Sequence, residues 1–395
     1  MYNTRKLTDT VSCIGVNDRV TPLFESMWPL PNGVAYNCYL INDEKTALLD
    51  TVKLGTTPNF IETVETILDG KKLDYLIVNH VELDHAGEFR TILERYPEVM
   101  VVGNAKTKQI LECYFGELKS FFEVKEGDEI SLGYHTLTFY FATWVHWPEV
   151  MMTYSKTEKI LFSADAFGTY GTMDGGVFDD EVNFDYYLDE MRRYYTNIVG
   201  KYSKFVQKAL AKLEGVEIKA ICPLHGIVWR ENPKRVISLY DNWSRWNADE
   251  DAVVIIYGSM YGNTAIIADA LAREISKLGV KDIRVYDVAK THISTLLSEV
   301  WRCKGVVLGS CAYNAGMFPL MSHLTEAIIH AGLKDRKVAL FGSYSWNGGG
   351  VRNLKKFVEE TGWTLTGEPL DVKGTATQDK LTPLTELAKA FVFHK

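Results

Sequence analysis

Apolar positions along the chain follow two regimes that change near residue 250. Before it, short apolar runs at 36–41, 46–49, 75–79, 99–102, 137–143, 160–163 and 220–223 are separated by polar and turn-forming residues. Runs of this length, rich in β-branched and aromatic side chains, predict strands. Asn42-Asp43-Glu44-Lys45 between the first two suits a hairpin turn. Helical spacing is confined to 58–68, 106–114 and a long stretch over 185–213, so this part predicts sheets covered by helices.

After residue 250 strands and helices alternate. Apolar runs at 252–257, 283–288, 305–308 and 337–341, with a weaker one near 369–372, are separated by helical patterns at 265–277, 294–300, 319–331 and 351–361, and a last one covers 381–391. Such alternation predicts a doubly wound parallel sheet, whose central strands read as continuous apolar runs because both faces are buried. The acidic break Asn247-Ala248-Asp249-Glu250-Asp251 places a junction there, giving domains 1–250 and 251–395.

Composition narrows the function. The 395 residues are 46% hydrophobic and 24% charged, ordinary for two globular domains, and a net charge of −8 argues against nucleic acid as the main partner. The six cysteines include no C-x-x-C pair, so a zinc knuckle or a rubredoxin-type iron site is not expected in these residues. No run approaches the ~20 apolar residues of a membrane span, and the first residues show no secretory h-region. The expectation is a cytoplasmic protein that binds no membrane.

The strongest chemical signal is His80-Val81-Glu82-Leu83-Asp84-His85, directly after the apolar run 75–79. Four metal-competent side chains at the end of one strand can enter one cavity and serve two ions. His146, Asp165 and His225 each follow another predicted strand. If those strands are neighbours, four histidines, two aspartates and one glutamate converge. Mixed nitrogen and oxygen ligation suits iron, manganese or zinc and lacks the thiolates of a structural zinc site.

Three strand ends in the second half carry another signal. Ser259-Met260-Tyr261-Gly262-Asn263-Thr264 opens a helix and offers hydroxyl and amide donors to an anion. It is neither a G-x-x-x-x-G-K-[ST] loop nor G-x-G-x-x-G. Ser310, Ala312, Tyr313, Asn314 and Gly316 follow the run 305–308, and Ser343-Tyr344-Ser345-Trp346-Asn347-Gly348 follows 337–341. Donors beside aromatic rings suit a planar, redox-active heterocycle.

The H-x-E-x-D-H motif followed by His146, Asp165 and His225 resembles the metal site of the metallo-β-lactamase superfamily. Glu82, where zinc hydrolases of that group usually have histidine, is similar to flavodiiron proteins. The three later loops resemble flavodoxin. Together they resemble the flavodiiron family over essentially the whole chain. The resemblance implies an α/β architecture: an N-terminal metallo-β-lactamase-like αββα sandwich followed by a flavodoxin-like doubly wound parallel sheet. It implies one iron on His80, Glu82 and His146, a second on Asp84, His85 and His225, and Asp165 bridging. It implies FMN with its phosphate at Ser259–Thr264 and its ring against Met260, Tyr313 and Trp346. The implied reaction reduces dioxygen to water, nitric oxide to nitrous oxide, or both. The implied electron donor is a carrier such as rubredoxin or a reduced deazaflavin, and the implied assembly a head-to-tail homodimer or a dimer of dimers. Ser345 and Asn347 depart from the pattern at the third loop, where Gly and Ser are expected. Arg352, Lys355 and Lys356 beside that loop offer a landing place for an acidic carrier; an ordinary solvated helix face is the simpler reading. The competing function is a metal-dependent hydrolase with an accessory flavodoxin module.

Overall fold

A computed structural model describes residues 2–55 and 59–391. Pro58, at the start of one expected helix, and His394 lie outside the described residues. The chain divides into two compact units, residues 1–195 with 202–241, and residues 196–201 with 242–395.

The first unit contains two sheets. One runs in the order Tyr2–Lys6, Val11–Asp18, Val34–Asn42, Thr46–Leu49, Tyr75–Ile77, Met100–Gly103 and Phe121–Glu123. It is antiparallel up to Thr46–Leu49 and parallel beyond. The other runs Glu129–Ser131, Thr136–Phe141, Met151–Ser155, Ile160–Phe162 and Ala220–Cys222. The sheets are tied face to face. Asn37 Nδ2 donates to the carbonyls of Pro223 (3.1 Å) and Gly226 (2.8 Å), and Tyr39 Oη donates to Pro223 (2.6 Å). The helices Phe60–Leu68 and Ala105–Phe115 pack on the first sheet, and Ser203–Lys212 packs on the second. This is the expected αββα layering.

In the second unit the sheet order is Ile283–Asp287, Glu250–Gly258, Cys303–Tyr313, Lys337–Tyr344 and then Thr364–Leu365, with Leu370–Lys373 also paired to Lys337–Tyr344. These pairings are parallel. The first strand in sequence has the second on one side and the third on the other, so the sheet reverses its winding there. Ligands of such folds sit beyond the carboxyl ends of the strands at that point. Val253, Ile255, Ile267, Leu271, Val307 and Phe341 form part of a fully buried core between this sheet and its helices.

Several boundaries differ from expectation. The stretch 185–213 is two α-helices, Phe184–Tyr194 and Ser203–Lys212, separated by a π-turn at Tyr195–Val199 and a 3₁₀ turn at Gly200–Tyr202. The pattern 381–391 is split into Gln378–Leu381 and Leu384–Lys389, with Pro383 at the start of the second, where its missing N–H costs nothing. In the acidic break near 250, Glu250 and Asp251 already belong to the strand Glu250–Gly258, and Trp243 Nε1 donates to Asp249 (2.8 Å).

Candidate metal centre and flavin cavity

Asp50 organises the metal-competent loop from behind. Its buried carboxylate accepts from the amide of Asn79 (2.8 Å), from Asn79 Nδ2 (2.9 Å) and from the amide of His80 (3.1 Å). The loop then folds tightly, with the amides of His85 (2.9 Å) and Ala86 (2.7 Å) both donating to the Glu82 carbonyl. Thr51 ties down the far end through its amide (2.8 Å) and hydroxyl (2.6 Å) on the His85 carbonyl. Gly87 is required by close approach: a Cβ there would lie 2.3 Å from the Leu54 amide nitrogen.

The seven side chains singled out in the sequence meet at the end of these two sheets. His80, Glu82, His146 and Asp165 form one cluster and Asp84, His85 and His225 a second, the chosen donor atoms of each lying within 4.8 Å of one another. In the first, Glu82 Oε2 is 3.2 Å from His80 Nε2 and 3.0 Å from His146 Nε2. Asp165 reaches both clusters. Its Oδ2 is 3.1 Å from His146 Nε2, and its Oδ1 is 3.0 Å from His85 Nε2 and 3.6 Å from His225 Nε2. Asp84 Oδ2 lies 3.4 Å from both His85 and His225 Nε2.

Electrostatics shows what is missing from a purely protein account of this cluster. Burial opposes charge on Asp165, yet His85 and His80 hold its carboxyl well below the usual carboxylate range. Burial likewise opposes protonation of His146, but Asp165 and Glu82 outweigh it and raise its pKa to about 9. Burial opposes protonation of His80 and His225 too, but Asp165 with Glu149 and Glu82 raises the first, and Asp84 with Asp165 raises the second. Protons on imidazoles therefore stand where positive charge is needed among three carboxylates. Even so, both oxygens of Asp84 and Oδ1 of Asp165 are buried without a hydrogen-bond partner. Unpaired buried acceptors facing imidazole nitrogens fit a pair of cations.

The second unit holds a cavity of about 290 Å³ beyond the carboxyl ends of its strands. The first expected loop opens the helix Asn263–Lys277, with Gly262 at φ 92° and its amide donating to Ser259 Oγ (3.1 Å). The first hydrogen bond spanning this turn runs from Ile266 N to Gly262 O, so the amides just before it face out of the helix start. Ser259, Met260, Tyr261, Asn263 and Thr264 line the cavity; so do Ala312, Tyr313 and Asn314, and so do Ser343, Tyr344, Ser345, Trp346 and Asn347. Hydroxyls, amides and aromatic rings around one slot fit a phosphate-bearing planar ring.

Four of the expected residues do not line it. Ser310 is buried and turned away, its hydroxyl donating to the Cys311 carbonyl (2.9 Å) and accepting from the Phe318 amide (2.9 Å). Gly262 shapes the helix start, Gly316 pairs with Tyr313 in a hairpin, and Gly348 sits against Asp371. Three lining residues were not anticipated: Cys311, Ala315 and Gly374. Cys311 and Ala315 lie within a segment already noted; Gly374 follows the weak fifth strand, whose end carried the only sequence signal. Two of the basic trio beside the third loop have local duties. Arg352 donates to the Ala315 carbonyl (2.9 Å) and Lys355 pairs with Glu368 (3.5 Å), which favours the ordinary-face reading.

A family model described as ODP family beta lactamase matches residues 34–226, and one described as flavodoxin matches 255–386. The anaerobic nitric oxide reductase flavorubredoxin of Vibrio vulnificus (strain YJ016) is 35% identical over 341 residues, covering 85% of this chain and 69% of its own length. The chain belongs to the flavodiiron family. The like-named protein of Escherichia coli O6:K15:H31 is 31% identical over 88% of this chain and 73% of its own. Among solved structures, rubredoxin oxygen:oxidoreductase from Desulfovibrio gigas is 29% identical over 98% of both chains, with a TM-score of 0.92. A flavoprotein from Thermotoga maritima is 26% identical with a TM-score of 0.90. As a flavodiiron protein it is an FMN-dependent oxidoreductase, and the hydrolase alternative is not favoured. No helix among the described residues is long and apolar enough to cross a membrane.

Proposed function

We propose that this flavodiiron protein reduces nitric oxide to nitrous oxide, dioxygen to water, or both, at two irons, with electrons delivered through FMN. The observation that carries the proposal is the convergence of seven mixed nitrogen and oxygen donors into two adjoining clusters sharing Asp165, on a chain that also has a flavin-sized cavity. His80, Glu82 and His146 would hold one iron and Asp84, His85 and His225 the other. Iron so held supplies a redox-active Lewis acid open to a small diatomic. The chain's own residues do the rest. Glu82 in place of a neutral imidazole adds negative charge, which favours the oxidised metal. Asp50 and Thr51 hold the ligand loop in shape through the bonds described above. Phe24, Tyr36 and Tyr194 pack their rings against His225 at centroid distances of 5.3, 5.6 and 5.4 Å and hold that imidazole in place.

FMN would occupy the cavity, held at its phosphate by Ser259–Thr264 and at its ring by Met260, Tyr313 and Trp346. The domains are 1–250 and 251–395. The electron donor is a small carrier such as rubredoxin, or a reduced deazaflavin, and the working form is a head-to-tail homodimer in the cytoplasm. The flavorubredoxin relatives support nitric oxide as the first gas to test, and the Desulfovibrio gigas protein supports dioxygen. The test is anaerobic stopped flow of the fully reduced, iron- and FMN-quantified protein against each gas. Rapid flavin reoxidation by at least one gas is expected. Reoxidation by neither, or at the rate of iron-free protein, would refute the proposal.

A further inference from the structure

His80 differs from the other three histidines in what stands behind it. Its Nδ1 lies 2.8 Å from Glu149 Oε1, and both side chains are fully buried. A carboxylate only accepts, so Nδ1 carries the proton and Nε2 is left to face Glu82 and Asp165. The same Glu149 oxygen accepts the Val81 amide (3.0 Å). The backbone carrying it is anchored as well: Asn104 Nδ2 donates to the Glu149 carbonyl (2.6 Å) while Asn104 Oδ1 caps the helix Ala105–Phe115. Glu149 Oε2 has no hydrogen-bond partner among the described residues. A buried carboxylate left that bare is costly unless a positive group offsets it, and His80 is the one it touches.

No carboxylate stands behind the other three rings among the described residues. His225 Nδ1 donates to a neutral carbonyl, that of Ala35 (2.9 Å). His85 Nδ1 is buried without a partner. The polar contacts of His146 are made through Nε2. The inner sets are otherwise matched, each with one carboxylate and two imidazoles and with Asp165 shared. Glu149 breaks that symmetry.

We propose that Glu149 makes the two metal positions unequal: by holding the Nδ1 proton it fixes the tautomer and orientation of His80 and raises its basicity, so the position of His80, Glu82 and His146 binds its ion more tightly. A carboxylate behind a metal-bound imidazole acts in this way, and its loss typically costs about 10–100-fold in metal affinity. An iron at that position is also the harder of the two to reduce, because the added negative charge favours its oxidised form. Glu149 is a positioning residue; it acts through His80. The inference rests on the reading of the seven residues as metal ligands.

The test is titration of the metal-free full chain with cobalt(II), read by its visible absorption, for the natural chain and for E149Q. The natural chain is expected to bind two ions in two resolved steps. E149Q should weaken the first step by about 10–100-fold, leave the second step in place, and retain FMN and its cofactor-free melting temperature. In the iron-loaded protein E149Q should raise one iron potential and leave the FMN potential unmoved, which a merely structural residue would not do. Should E149Q fail to fold, H225N and H80N decide: the tight step survives the first and disappears in the second. Two equal steps in the natural chain, or unchanged binding in E149Q, would overturn the inference. Failure of the natural chain to bind cobalt at all is a different result; it removes the metal reading and this inference with it.

Discussion

Asp165 is the side chain on which the site turns, because one oxygen faces each cluster and nothing else among the described residues reaches both so directly. Asp165→Ala should therefore lose at least one iron per chain and all gas reduction while keeping FMN; metal analysis and flavin absorbance check this, and retained turnover would contradict it. His146 is one of three raised histidines that contribute to the pH behaviour. Burial alone would lower its pKa, but Asp165 and Glu82 raise it to about 9, above the ordinary histidine value. In the metal-free fold this protonation is stabilising below that ordinary value, and the contribution is lost as pH rises through about 9. An incoming ion must displace protons from His146, His80 and His225, so metal affinity should climb as pH rises through about 9. Titrations at several pH values test this, and a flat profile would count against the arrangement. Trp346 stands at the other extreme, 86% exposed and lining the cavity. Trp346→Ala should weaken FMN by about tenfold, from lost stacking, and leave iron content unchanged. Loss of both cofactors together would show that the two sites are not independent.

At the scale of elements, the placement rule is that strands end where chemistry begins. Each metal-competent residue follows a strand that can be read from its apolar run, which is why the convergence of the seven could be expected without a structure. What that run could not reveal is the close packing that holds the loop. Gly87 looks like any loop glycine, yet a Cβ there would meet the backbone of Leu54 and of Val52. Gly87→Ala should lower iron content and melting temperature while leaving FMN binding intact, and a normal metal content would show that the loop can yield. Other misreadings have similar physical causes. The stretch 185–213 keeps helical periodicity through Tyr195–Tyr202, so apolar spacing alone could not register the change of winding there. The hairpin Tyr2–Lys6 with Val11–Asp18 was not singled out because its first strand, Tyr-Asn-Thr-Arg-Lys, is polar and is held by pairing rather than by an apolar signature. Gly374 reaches the flavin cavity at the end of a strand paired with Lys337–Tyr344, its amide bonding the Tyr344 carbonyl (2.8 Å), a contact between segments thirty residues apart.

For the molecule as a whole, two folds on one chain explain why the family was legible. Neither motif set alone separates a hydrolase from an oxidoreductase, since metallo-β-lactamase-like and flavodoxin-like scaffolds each host many chemistries. Their coexistence, with Glu82 at the second motif position, narrows the choice to redox work. The most direct test of the central claim is the iron content and Mössbauer spectrum of the purified protein enriched in iron-57. Two irons per chain are expected as one magnetically coupled pair, absent from Asp165→Ala. Zinc in their place, or isolated uncoupled iron, would contradict it.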